Sequence, residues 1–126
     1  AKLTLGAASI TFADADPDVD ATVSATPVTV EVKVRIASGS NATLTVEATG
    51  DLASGDDTIA ISNLTWVAGG AAAGFAANGT ASTTGSTVGT FAGGTHSGTQ
   101  TYQLANSWTY ATGSYTVTLN YTLSTP

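Results

Sequence analysis

His96 is the only histidine in the chain, so acid–base or nucleophilic chemistry must be built around it or around carboxylates alone. It stands in Gly93-Gly94-Thr95-His96-Ser97-Gly98, a stretch that reads as a flexible turn. Serine and aspartate are plentiful, which makes a Ser–His–Asp triad arithmetically available. No Gly-x-Ser-x-Gly elbow occurs to present the nucleophile, however. Cysteine is absent, which removes thiol nucleophiles, thiolate metal sites, haem attachment and disulfides. One histidine and no cysteine cannot assemble the usual zinc sets. Carboxylate pairs of the kind used in glycoside hydrolysis remain in the composition, at Asp56 and Asp57 and in Asp14–Asp20. Nothing in the sequence marks any of them as buried or correctly separated. The expectation is a protein that is not an enzyme and carries no cofactor.

Two weaker chemical readings concern ligands and modification. Asp14, Asp16, Asp18 and Asp20 alternate, and an extended chain would place four carboxylates on one side. Oxygen ligands at that density can hold Ca²⁺. The segment starts like an EF-hand loop, but Pro17 disturbs the spacing, Val19 stands where the turn wants glycine, and Ala25 stands where the bidentate glutamate belongs. What remains is a weak calcium site at Asp14, Asp16 and Asp18, or a solvated, self-repelling linker. Asn-x-Thr sequons occur at Asn41, Asn63, Asn78 and Asn120. Asn41 and Asn78 fall in expected turns and are the better glycosylation candidates in a host that modifies them.

The composition then limits what such residues could serve. The 126 residues suffice for one core, and only 10% are charged, well below the roughly 25% of an average domain. Threonine is the commonest residue, and its β-branched side chain suits exposed pleated surfaces. The net charge of −6 with only Lys2, Lys33 and Arg35 as cations argues against nucleic acid or an anionic membrane face as partner. No run reaches the roughly 18 apolar residues of a membrane span. The chain contains no methionine and starts at Ala1, which fits cleavage after a small-residue signal site. An extracellular or cell-surface location is therefore expected.

The elements that must position these residues are strands. Val28, Val30, Val32, Val34 and Ile36 alternate with Thr29, Glu31, Lys33 and Arg35. Residues 42–48 repeat the pattern, and Tyr115, Val117, Leu119, Tyr121 and Leu123 repeat it again. Such alternation gives each strand one dry and one wet face. Shorter strands are expected at 58–62, 64–68, 87–92 and 99–105, with a hairpin connection at Ser38-Gly39-Ser40-Asn41. About eight or nine strands at this spacing predict an all-β, two-sheet antiparallel sandwich, immunoglobulin-like or jelly-roll-like. Trp66 and Trp108 are expected to fill the core between the sheets. The alternative is that Trp66, Tyr102 or Trp108 forms an exposed stacking platform for carbohydrate.

The ends of the chain carry the remaining signal. Leu3 and Leu5 share one phase, whereas Ile10 and Phe12 continue in the opposite phase after a slip at Ala7-Ala8. A one-residue slip turns every later side chain to the other face, as at a bulge or where a strand changes partner. Residues 1–20 thus read as a strand extension with an acidic linker, and 21–126 as the sandwich domain. Such a strand can pair within its own chain or fill a neighbour's groove.

The C-terminal run Gly113-Ser114-Tyr115-Thr116-Val117-Thr118-Leu119-Asn120-Tyr121-Thr122-Leu123 resembles the last strand of secreted bacterial β-sandwich proteins of the spore-coat-U and chaperone–usher pilin kind. That resemblance implies an incomplete immunoglobulin-like sandwich completed by a neighbour's N-terminal strand. It further implies a homopolymeric pilus (fimbrium), filament or coat, with Leu3, Leu5, Ile10 and Phe12 as the donated residues. The chain departs from the pilins in lacking cysteine and in having Thr125 rather than an aromatic next to last. This points away from the periplasmic-chaperone route but not from strand donation.

Overall fold

A computed structural model describes residues 1–12, 16–69, 74–111 and 115–126. The described chain is all-β and antiparallel apart from one 3₁₀ turn at Ile61–Asn63. Its strands are β1 (Lys2–Leu5), β2 (Thr22–Ser24), β3 (Val28–Val34), β4 (Ala42–Ala48), β5 (Leu52–Ser54) and β6 (Asp57–Ile59). They continue as β7 (Leu64–Gly69), β8 (Asn78–Thr80), β9 (Ser86–Phe91), β10 (Gly94–Ala105) and β11 (Leu119–Ser124). Among the described residues the expected eight or nine strands become eleven, because β2, β5 and β8 are three residues each, too short to leave an alternating pattern in the sequence.

The larger sheet runs β1-β3-β10-β7-β8, with β2 also paired to β10, and the smaller runs β11-β4-β9. β5 and β6 form a separate hairpin. The two sheets share one core. Val30, Val32, Trp66 and Tyr102 contribute from the larger, and Leu44, Val46, Val88 and Phe91 from the smaller, all at most 2% exposed. The alternation expected in β3 and β4 is observed: Val28, Val30, Val32 and Val34 are buried, as are Ala42, Leu44, Val46 and Ala48. Fully burying a side chain of this size contributes about 1.5–3 kcal/mol, so these two strands anchor the fold.

Aromatic packing depends on missing side chains opposite it. Trp66 pairs across the sheet with Gly79, and a Cβ there would lie 2.1 Å from the indole Cζ2. Trp66 also meets Tyr102 at 6.2 Å between ring centres. Phe91 stands edge-on to Phe75 at 4.8 Å, over the backbone of Gly74, whose φ of +106° is a conformation L side chains rarely adopt. The β4–β9 register moves from Leu44↔Gly89 to Thr45↔Thr87, leaving Val88 as the extra, buried residue of a bulge.

Several local expectations are corrected. Residues 35–41 do not form a hairpin, because β3 and β4 lie in different sheets; the Ser38–Gly39 turn bends an inter-sheet crossing, with φ +86° at Gly39. His96 is not in a turn but inside β10, opposite Val32, because Gly93 and Gly94 make the bend before it. Asn78 opens β8 and pairs with Val67. Only Thr58 and Ile59 of the expected strand 58–62 are extended, in β6, and Ile61–Asn63 is helical. β11 starts at Leu119, preceded by a single bridge between Thr116 and Ala53. Trp108 is 68% exposed rather than in the core, since β10 ends at Ala105 before it.

Candidate assembly interface

Among the described residues the sandwich is closed along one side and open along the other. On the closed side, Asn78–Thr80 pairs with β7 of the larger sheet. Just before it, Phe75 bridges Gly89 of β9 in the smaller sheet, and Ala76 N–H donates to the Val88 carbonyl at 2.9 Å. One continuous segment therefore joins both sheets there. On the opposite side the edges are β1 in the larger sheet and β11 in the smaller, and no strand among the described residues joins them.

β1 carries the first two candidate interface residues. It pairs with the chain's own β3, placing Leu3 opposite Val32 and Leu5 opposite Val30. Directly opposed residues share a face, so both leucines lie on the core side of the sheet. The smaller sheet has three strands against this wider one. Leu3 is consequently only half-buried and Leu5 is 37% exposed. Gly6 N–H makes a last bond to the Thr29 carbonyl at 2.7 Å, and residues 7–12 belong to no strand. That explains the phase slip at Ala7-Ala8: the strand ends there, and Ile10 and Phe12 fold half-buried against the core instead.

β11 presents the second edge. Leu119, Tyr121 and Leu123 lie opposite Ala48, Val46 and Leu44 of β4 and face the core, yet all three remain half-buried. Sequence alternation identified this face without showing that it is left partly uncovered. Tyr121 ties the edge to the other sheet. Its hydroxyl donates to Gln100 Oε1 at 2.6 Å and hydrogen-bonds the Tyr102 hydroxyl. Gln100 is fully buried, and its Nε2, like Trp66 Nε1, has no acceptor among the described residues. Burial pushes both tyrosine hydroxyls above their ordinary range, Tyr102 further because Tyr121 lies beside it.

The other candidates are scattered. Asp14 lies outside the described residues. Asp16 Oδ1 accepts from the Asp18 N–H at 2.9 Å, and the Asp16 carbonyl accepts from Val19 and Asp20, so 16–20 is an ordered turn. It is docked rather than free: Trp108 Nε1 donates to Asp18 Oδ1 at 3.0 Å, and Asn106 Nδ2 to the Asp20 carbonyl at 3.2 Å. Among the described residues no three His, Asp or Glu side chains converge as metal ligands. His96 Nε2 donates to the Ala92 carbonyl at 2.8 Å and its ring lies 5.1 Å from Phe91. Asn41 and Asn78 are both exposed, and Asn120 is exposed on the outer face of β11. Trp66 and Tyr102 are 0% and 2% exposed, which leaves Trp108 as the one stacking candidate a ligand could reach. No helix among the described residues is long and apolar enough to cross a membrane. Comparison with known proteins finds no matching family model, no matching characterised protein and no matching solved structure.

Proposed function

We propose that this chain is a structural subunit of an extracellular filament, pilus or surface coat, assembled through its open side. The observation that carries this reading is the pair of edges β1 and β11. Both leave core-facing apolar residues partly uncovered, at Leu3, Leu5, Leu119, Tyr121 and Leu123. Unpaired edge strands are templates for another chain. A neighbour's edge strand entering between β1 and β11, or a neighbour's N-terminal strand taking the place that β1 holds beside β3, would hydrogen-bond to a sheet and cover apolar side chains. The test is electron microscopy and sedimentation of the purified chain beside Leu5→Lys. Leu5 is exposed enough to accept a charge with the fold intact, verified by circular dichroism. Oligomers or fibres from the parent chain and their loss in the variant are expected; a parent chain that stays monomeric at all concentrations would sink the reading.

A second reading, an adhesive or carbohydrate-binding module, is favoured by Trp108 alone. Its indole is largely exposed yet held by Asp18 from a loop distant in sequence. Glycan binding that is lost on Trp108→Ala, with unchanged thermal unfolding, would support it.

A further inference from the structure

All three basic side chains of this acidic protein converge at one place. Lys2 on β1 lies directly opposite Lys33 on β3, on the outer face that Arg35 continues two residues on. Lys2, Lys33 and Arg35 line one shallow cavity of about 420 Å³ with Val34, Gly94 and Thr95. Like charges directly opposed across a sheet are destabilising. The sole ion pair among the described residues is Lys33 with Glu31 at 3.7 Å, so the cluster keeps a net positive charge.

Apart from Glu31, the described acidic groups lie toward the other end. β3 and β10 run from Val34↔Gly94 at the basic end to Val28↔Gln100, and β2 extends the line to Thr22↔Ala105. Eleven residue steps along β10 amount to roughly 35 Å. Beyond that far end lies the Asp16–Asp20 turn. In the smaller sheet, Thr43↔Ser124 marks the basic end and Ala48↔Leu119 the far end. The chain then carries past it. Thr49 N–H bonds to the Thr118 carbonyl and Ala53 pairs with Thr116, so β5 prolongs the line of β4. The β5–β6 hairpin therefore continues past Ala48, with Leu52 and Ile59 at its base buried in the core, and its tip holds Asp56 and Asp57, both exposed.

The two poles cannot neutralise each other within one chain. Their separation is several times the Debye length of about 8 Å at physiological ionic strength. We propose that copies of this chain dock head to tail, the Lys2–Lys33–Arg35 cavity of one receiving the Asp56–Asp57 hairpin tip of the next. This inference rests on the assembly reading above and assigns its polarity and partner. A head-to-tail contact uses two different surfaces, and repeated it builds rings or filaments rather than closed two-fold dimers. Charge complementarity selects the second copy as the occupant, because the same chain carries the matching anionic tip.

The experiment uses the full chain and two charge reversals, Lys33→Glu with Arg35→Glu and Asp56→Lys with Asp57→Lys. All four positions are exposed, and unchanged thermal unfolding establishes the fold. Association is read by sedimentation velocity at low and high salt. Each reversed chain alone should associate at least tenfold more weakly than the parent, and a mixture of the two should recover pairing. Parent association should fall as salt screens the contact. Fibres that persist in both reversed chains and ignore salt overturn the head-to-tail contact while the open-edge reading survives. A parent chain that never associates overturns both. Saturable binding of inorganic phosphate at the cavity, with chains that stay apart, also overturns the contact.

Discussion

The hydroxyl of Tyr121 is the most consequential single polar group in the molecule. It reaches from the edge of one sheet to Gln100 and Tyr102 in the other, and Gln100 has no exposed surface at all. Tyr121→Phe keeps the ring but strands the buried carbonyl oxygen of Gln100. A loss of about 1–3 kcal/mol is expected from leaving such a group unpaired, measurable by urea unfolding. The same pair is expected to weaken the fold at alkaline pH. Both hydroxyls have raised pKa values in the folded chain, so above pH 10 the unfolded chain loses protons that the folded chain retains. Stability is full below the ordinary tyrosine pKa and falls as pH rises past it, by roughly 1 kcal/mol per pH unit for each ring that stays protonated. Unfolding midpoints from pH 8 to pH 11.5 should show this fall, and Tyr121→Phe, which leaves the buried Tyr102, should make it shallower.

At the scale of elements, strands were legible wherever alternation ran long enough. β3 and β4 show it over seven residues each, and every inward position named by the pattern in them is buried. The three-residue strands β2, β5 and β8 were not legible, because their existence depends on a partner. β8 is the clearest case: Asn78-Gly79-Thr80 has poor strand character, and it is held where Trp66 lies flat over Gly79. Gly79→Ala places a methyl group inside the indole and forces β8 or Trp66 to move. Overpacking of this kind costs about 1–3 kcal/mol. Denaturant unfolding should show that loss, with accelerated hydrogen exchange concentrated in β7 and β8. The residues proposed for assembly were legible to the same degree. Alternation located Leu3, Leu5 and the inward face of β11, while the widths of the two sheets left those residues partly uncovered.

For the whole molecule, pairing is dominated by partners distant in the chain. Lys2 meets Lys33, Val34 meets Gly94, and Leu119 meets Ala48. Closing such loops before any contact rewards them is slow, so refolding on the millisecond-to-second scale of all-β domains is expected. Stopped-flow tryptophan fluorescence follows it through Trp66, which passes from water to a fully buried site. By itself the sequence determined the fold class, the dry faces of the long strands, and the absence of cysteine and histidine clusters. These follow from side-chain chemistry and a two-residue period, which act locally. Tertiary structure alone decided that residues 35–41 cross between sheets, that His96 and Trp108 sit in a strand and in solvent, and that one side of the sandwich stays open. It also gathered Lys2, Lys33 and Arg35 into one pocket. Each of these depends on which strands become neighbours, and that choice is made by packing the whole core.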